Sequence, residues 1–102
     1  MAIDFMKLPH TFPSHTGGSQ SFDLTFTFAT NVRRAEAAIA GFNIGFSNSD
    51  HHLFRVEVDA RVRSITFGTV VVTVTLALRD SSGFFDDAYN GNVDVLVIVD
   101  RA

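Results

Sequence analysis

Ser21-Phe22-Asp23-Leu24-Thr25-Phe26-Thr27-Phe28 alternates without a break, with Phe22, Leu24, Phe26 and Phe28 on one side and Ser21, Asp23, Thr25 and Thr27 on the other. Successive side chains of a β-strand point to opposite faces, so this octapeptide buries an aromatic face and wets a polar one. A helix would spread the four large residues around its circumference. The segment is therefore a strand over 21–28, and the rest of the chain falls into place around it.

Downstream, Leu53 to Arg63 repeats the pattern, with Phe54, Val56, Val58, Ala60 and Val62 opposite Arg55, Glu57, Asp59, Arg61 and Arg63. The second set forms a ladder of mixed charge, read as a solvated face or as part of a subunit contact or ligand wall. Thr69 to Arg79 sets Val70, Val72, Val74, Leu76 and Leu78 against Val71, Thr73, Thr75 and Ala77. Neither face is strongly polar, as expected of a central strand covered on both faces. Asn92 to Asp100 turns Val93, Val95, Val97 and Val99 inward and leaves Leu96 and Ile98 facing out, where large aliphatics call for cover.

Upstream, Ala2 to Leu8 reads as a short first strand, followed by a loop over Pro9 to Gln20 that collects two prolines, Gly17-Gly18 and several hydroxyl residues. Arg33 to Phe46 is ambiguous. Its alanine-rich first half favours helix, but Ala38, Ala40, Phe42, Ile44 and Phe46 share one strand face and the glycines weaken a helix, so a strand over 35–46 is expected. Ser47 to Asp50 is a turn cluster. These segments predict one all-β domain over 1–102, an antiparallel sandwich of about six strands.

Composition agrees with a folded domain of ordinary size: 102 residues, 46% of them hydrophobic and 19% charged. The net charge of −3 gives no long-range attraction for phosphate backbones or anionic lipid, so nucleic acid is not an expected partner. Cysteine is absent, which removes disulfides and thiolate nucleophiles. Asp4, Lys7 and Pro9 interrupt the apolar residues of 1–11, so no signal peptide is expected, and no stretch approaches the ~20 apolar residues of a spanning helix.

Candidate chemistry is sparse. Asp50-His51-His52 carries metal-ligand residue types, but adjacent strand residues diverge, so a surface turn is the expected role. His10 and His15 lie far from any recognisable nucleophile motif, and neither a catalytic group nor a cofactor is expected. The stretch from Arg79 to Asp94 is richest in oxygen donors. Asp80, Asp86, Asp87, Asn90, Asn92 and Asp94 offer carboxylates and amides without EF-hand spacing, and Gly83 and Gly91 scatter them, so no metal site is expected. The same stretch suits a sugar site: Phe84, Phe85 and Tyr89 offer rings, and Asp86, Asp87 and Asn90 offer acceptors for hydroxyls. The alternative is that these rings pack over the end of the sandwich.

In its order of features the chain resembles the H-type lectins: a Phe-rich strand (Phe26 to Phe28), an arginine-bearing strand (Arg55 to Arg63), a Thr-Val strand, an aromatic-polar loop with tyrosine, and a final apolar strand. The resemblance spans Ser21 to Asp100. It implies a six-stranded antiparallel sandwich, homo-oligomeric as a trimer or hexamer, that binds N-acetylgalactosamine-like glycans between subunits. By this resemblance Phe85 stands where the family has tryptophan, Asp86 and Asp87 where it has polar sugar contacts, Tyr89 at its tyrosine and Arg61 near its strand arginine. The chain contains no tryptophan. Two roles therefore follow: a sugar-binding module using Arg61, Phe85, Asp86, Asp87, Tyr89 and Asn90, or a non-catalytic structural protein that assembles through its sheet faces.

Overall fold

The computed structural model describes residues 2–47, 53–80 and 88–102, with side chains for all of these except 53–55 and 79–80. Six strands follow one another: β1 (Ala2–His15), β2 (Gln20–Thr27), β3 (Val32–Phe46), β4 (Leu53–Thr66), β5 (Thr69–Asp80) and β6 (Tyr89–Arg101). They form two three-stranded antiparallel sheets, ordered β1-β6-β3 and β2-β5-β4. The chain is an all-β sandwich.

The two most apolar strands take the two central places. Val93, Val95, Val97 and Val99 of β6 face Val70, Val72, Val74 and Leu76 of β5, and all eight are buried to within 1%. Phe26, Phe12, Leu24 and Phe28 complete the core from the flanking strands. Each such side chain contributes about 1.5–3 kcal/mol on leaving water, so the paired valine rows dominate stability. On the outer face of β5, Val71, Thr73 and Thr75 stay partly exposed among their lateral neighbours. Of the four outer residues only Ala77, 5% exposed, has the cover expected on both faces.

β1 corrects the expected loop over 9–20. The strand runs through both prolines to His15, with Pro9 opposite Asp94, and the connection shrinks to 16–19. A proline lacks the N–H of a ladder bond, but β1 is an edge strand and pairs on one side only. The register shift between Phe12 and His15 accommodates Pro13. Extending the strand delivers Phe12 to the core, 2% exposed.

β3 is a strand throughout, without a helical first half. Pairing with β6 runs from Val32 to Phe46, and this tertiary context overrides the helix propensity of the alanines. The register shift between Ile39 and Gly41 changes which residues point inward. Ala35, Ala37 and Ile39 pack against the core before it, and Ile44 and Phe46 after it. Ala38 and Ala40, expected on the inner face, are exposed, because one extra residue in a bulge reverses the parity of everything beyond it. β4 shows the same device between Val62 and Ser64, beyond which it continues to Thr66.

One end of the sandwich is closed by the β4–β5 turn. Phe67 sits at φ +54° with its ring 76% exposed, an uncommon conformation for a bulky residue. The Phe28 and Val32 N–H groups donate to the carbonyls of Gly68 and Phe67 at 2.8 and 2.7 Å, tying the turn to the β2–β3 link. A Cβ on Gly68 would lie 2.7 Å from the Phe28 carbonyl oxygen, so glycine is required there. The long strands give a rod of 49 × 18 × 18 Å with a radius of gyration of 15.7 Å. A rounder chain of this length would have about 13 Å, so this fold spends its residues on two long flat faces.

Candidate functional surfaces

Tyr89 opens β6 on its inner side and is fully buried. Its hydroxyl proton is shared between the carbonyls of Gly18 at 2.8 Å and Leu76 at 3.0 Å. Burial pushes the phenol above its ordinary value, and the nearby Glu57 carboxylate adds to the rise. The His15 ring meets it edge-on at 5.9 Å. Tyr89 thus pins the β1–β2 link to both central strands, and its hydroxyl has no donor left for a ligand.

Asn90, next in sequence, points outward and is exposed. Its Oδ1 accepts from Ser47 Oγ at 3.4 Å, and Ser47 Oγ lies 3.0 Å from Ser14 Oγ. With Asn43 and Asn92 it lines a shallow groove floored by Gly45 and Gly91. β6 and β3 approach closely here: a Cβ on Gly91 would stand 2.5 Å from the Asn43 carbonyl oxygen. Phe84, Phe85, Asp86 and Asp87 lie outside the described residues, as do Asp50, His51 and His52.

Arg61 belongs to the opposite surface. It stands on the outer face of β4 opposite Thr73, exposed, with its Nε 2.8 Å from the Asp59 carboxylate. Seven residues separate Thr73 from the end of β5 at Asp80, roughly 23 Å of strand. Within one chain, then, the fold sets Arg61 and Asn90 on opposite outer faces and Tyr89 between the sheets. Nothing among the described residues brings these three into one site.

The outer face of β2-β5-β4 satisfies itself. The Asp23 carboxylate accepts from Thr73 Oγ1 at 2.7 Å and from Arg63, and these partners hold it below the usual carboxylate value, the Thr73 bond first. Ser21 and Thr75 exchange a hydroxyl bond at 3.0 Å. At the other end, Asp4 accepts from the Phe5 N–H and from Arg101 Nε at 3.0 Å, and both lower its pKa.

The outer face of β1-β6-β3 differs. Ile3 and Phe5 are each 70% exposed and Ile98 is 44% exposed, and Phe5 stands directly opposite Ile98. Beside them on β3 stand Arg34 and Glu36, which form no ion pair among the described residues, and Asp100, whose Oδ1 is buried without a hydrogen-bond partner. Sequence reasoning found Ile98 but missed Ile3 and Phe5. Their signal was present, since Ile3, Phe5 and Lys7 alternate with Asp4, Met6 and Leu8, but both faces of that segment are largely apolar. Among the described residues no three His, Cys, Asp or Glu side chains cluster as a metal site would require. Compared with protein-family profiles, curated proteins and solved structures, the chain matches none.

Proposed function

We propose that this protein is a non-catalytic structural module that associates with copies of itself through its sheet faces. The carrying observation is the contiguous outward set Ile3, Phe5 and Ile98, adjacent at one end of a flat face rather than scattered. Isolated exposed apolar residues are ordinary, whereas a cluster on one face marks a contact surface. The opposite sheet supports the reading by contrast, because its outer polar groups already pair with one another. Light scattering tests it: a monodisperse species at a multiple of 11.2 kDa is expected, and a monomer at micromolar concentration would overturn it.

A second reading, sugar binding, is favoured by the amide groove of Asn43, Asn90 and Asn92, whose side chains can both donate to and accept from hydroxyls. Such a site would be shallow and would gain strength through several copies. A glycan array read beside electron microscopy separates the two. Glycan signal lost in Asn90→Ala favours the sugar module, and ordered assemblies without glycan signal favour the structural one.

A further inference from the structure

β1 forms the edge of its sheet over 14 residues and holds Ile3 and Phe5 largely in solvent. A long exposed edge with apolar side chains is a template for a further strand, whose backbone would pair with the unused N–H and C=O groups. We infer that this edge is closed to strand addition by Asp4, Lys7, Pro9 and Pro13, acting at successive points along it.

Which backbone groups of β1 face outward follows from the surroundings of β6. The Ala88 carbonyl, just before β6, accepts from the Ser47 N–H just after β3, and the Ala102 N–H, just after β6, donates to the Asn31 carbonyl just before β3. Backbone direction alternates along an antiparallel strand, so the even-numbered residues of β6 turn toward β3 and the odd-numbered ones toward β1. The partners of those odd residues on β1 are even: Asp4 stands opposite Val99, Met6 opposite Val97, Leu8 opposite Val95 and His10 opposite Val93. Ile3, Phe5, Lys7, Pro9 and Thr11 therefore keep their backbone on the free edge.

Along that row, donors are removed at intervals. The Phe5 N–H donates to Asp4 Oδ1 at 2.8 Å and is occupied within the chain. Pro9 has no N–H, and Lys7 sets an exposed charge between these two closed positions. Pro13, in the bulge between Phe12 and His15, also lacks an N–H, and its carbonyl accepts from Gln20 Nε2 at 3.3 Å. An antiparallel newcomer pairs with every second residue, so from 3 to 11 it would find donors only at Ile3, Lys7 and Thr11, each separated from the next by a closed position. Its carbonyls opposite Phe5 and Pro9 would leave water without a partner. The other edge strand on this side, β2, contains neither proline nor lysine, and its outer side chains are the polar Ser21, Asp23, Thr25 and Thr27. The closed edge is thus the one whose outer side chains include Ile3 and Phe5. This goes beyond the association proposed above: the edge leaves Ile3 and Phe5 open to a face contact while denying the strand to a ladder.

The test is sedimentation velocity of the whole chain and its variants at matched concentrations, a comparison that holds whether the wild type is a monomer or an oligomer. Asp4→Ala/Pro9→Val frees the Phe5 N–H and supplies a donor at position 9, which makes the row from 3 to 11 continuous. It should form larger species at about tenfold lower concentration than the wild type, with slowed amide exchange at Ile3, Phe5 and Lys7. Asp4→Asn/Pro9→Val loses the same charge beside Arg101 but keeps a side-chain oxygen for the Phe5 N–H, and should gain less. Gly91→Ala, strained against the Asn43 carbonyl with its edge intact, should gain nothing. Far-ultraviolet circular dichroism checks that the strands persist; if Asp4→Ala/Pro9→Val does not fold, Pro9→Val alone carries the same comparison over Lys7 to Thr11. A folded variant with a reopened edge that sediments as the wild type does overturns the inference. So does an equal gain in Gly91→Ala, which would assign the effect to lost stability, and an equal gain in the Asp4→Asn and Asp4→Ala forms overturns the part given to Asp4.

Discussion

The imidazole of His10 lies stacked on the ring of Phe22, centroids 4.1 Å apart and planes 11° from parallel, and joins the edge strand β1 to the edge strand β2. Phe12 meets the same imidazole edge-on at 4.5 Å. Burial among these rings holds His10 below its ordinary 6.5. The folded state therefore takes up this proton less readily than the unfolded chain, so the stability it contributes is full above about pH 6.5 and is lost as pH falls through that value toward the folded pKa. Thermal unfolding at pH 7.5 and pH 5 should show a fall in Tm for the wild type. His10→Phe should show a smaller fall over the same interval, and an equal fall in both would refute the assignment.

Tyr89→Phe should destabilise the protein by about 1–3 kcal/mol, because the buried Leu76 carbonyl loses its hydroxyl partner while the ring still fills its place. For a domain of this size each kcal/mol shifts Tm by about 4–8 °C. Denaturant titration gives the number. Any glycan binding should persist at temperatures where the variant remains folded, since the ring is inside the sandwich.

Two glycines of the amide groove should respond in opposite ways to alanine. Gly91→Ala places a Cβ 2.5 Å from the Asn43 carbonyl oxygen and 2.9 Å from Ile44 Cα, both backbone atoms that cannot step aside cheaply. A loss of about 1–3 kcal/mol is expected, as for overpacking. At Gly45 nothing lies within 4 Å, and an added methyl restricts the unfolded chain, so Gly45→Ala should be neutral or stabilising by about 0.4–1 kcal/mol. Chemical denaturation of both variants decides it.

The two phenylalanines Phe26 and Phe5 should separate folding from association. Phe26 is wholly buried, and Phe26→Ala should cost about 3–5 kcal/mol. Phe5 is 70% exposed, and Phe5→Ala should leave the stability of the single chain within about 0.5 kcal/mol while weakening self-association. Unfolding at low concentration measures the first effect, and light scattering against concentration measures the second.

The strands that strict alternation announced are where it placed them: Leu24, Phe26 and Phe28 lie in the core, and the valine rows of β5 and β6 lie at its centre. Alternation is a local property of the chain and survives into any sheet that buries one face, which is why the fold class was readable from 21–28 outward. The β1 extension past Pro9 was not readable, because a proline is harmless or disruptive according to whether its strand lies at an edge, and strand order is not written in local pattern. The expected inner positions of Ala38 and Ala40 failed for a related reason: the bulge before Gly41 is set by how β3 pairs with β6, not by β3 alone.

The candidate surfaces divide along the same line. Residue chemistry identified Asn90 as an amide open to hydroxyls and Ile98 as an aliphatic lacking cover, and both are exposed. Composition could not separate Tyr89 from a ligand-stacking ring, since a tyrosine beside a polar loop carries the same atoms in either role. Packing made the distinction by burying the ring and engaging its hydroxyl with the Gly18 and Leu76 carbonyls. The grouping of Ile3 and Phe5 with Ile98 likewise arises from the pairing of β1 with β6, which joins residues more than ninety positions apart in the chain. Between bulges, periodicity fixes which side of a strand a residue occupies; register, bulges and strand order fix the rest, including its neighbours, and neighbours make a surface.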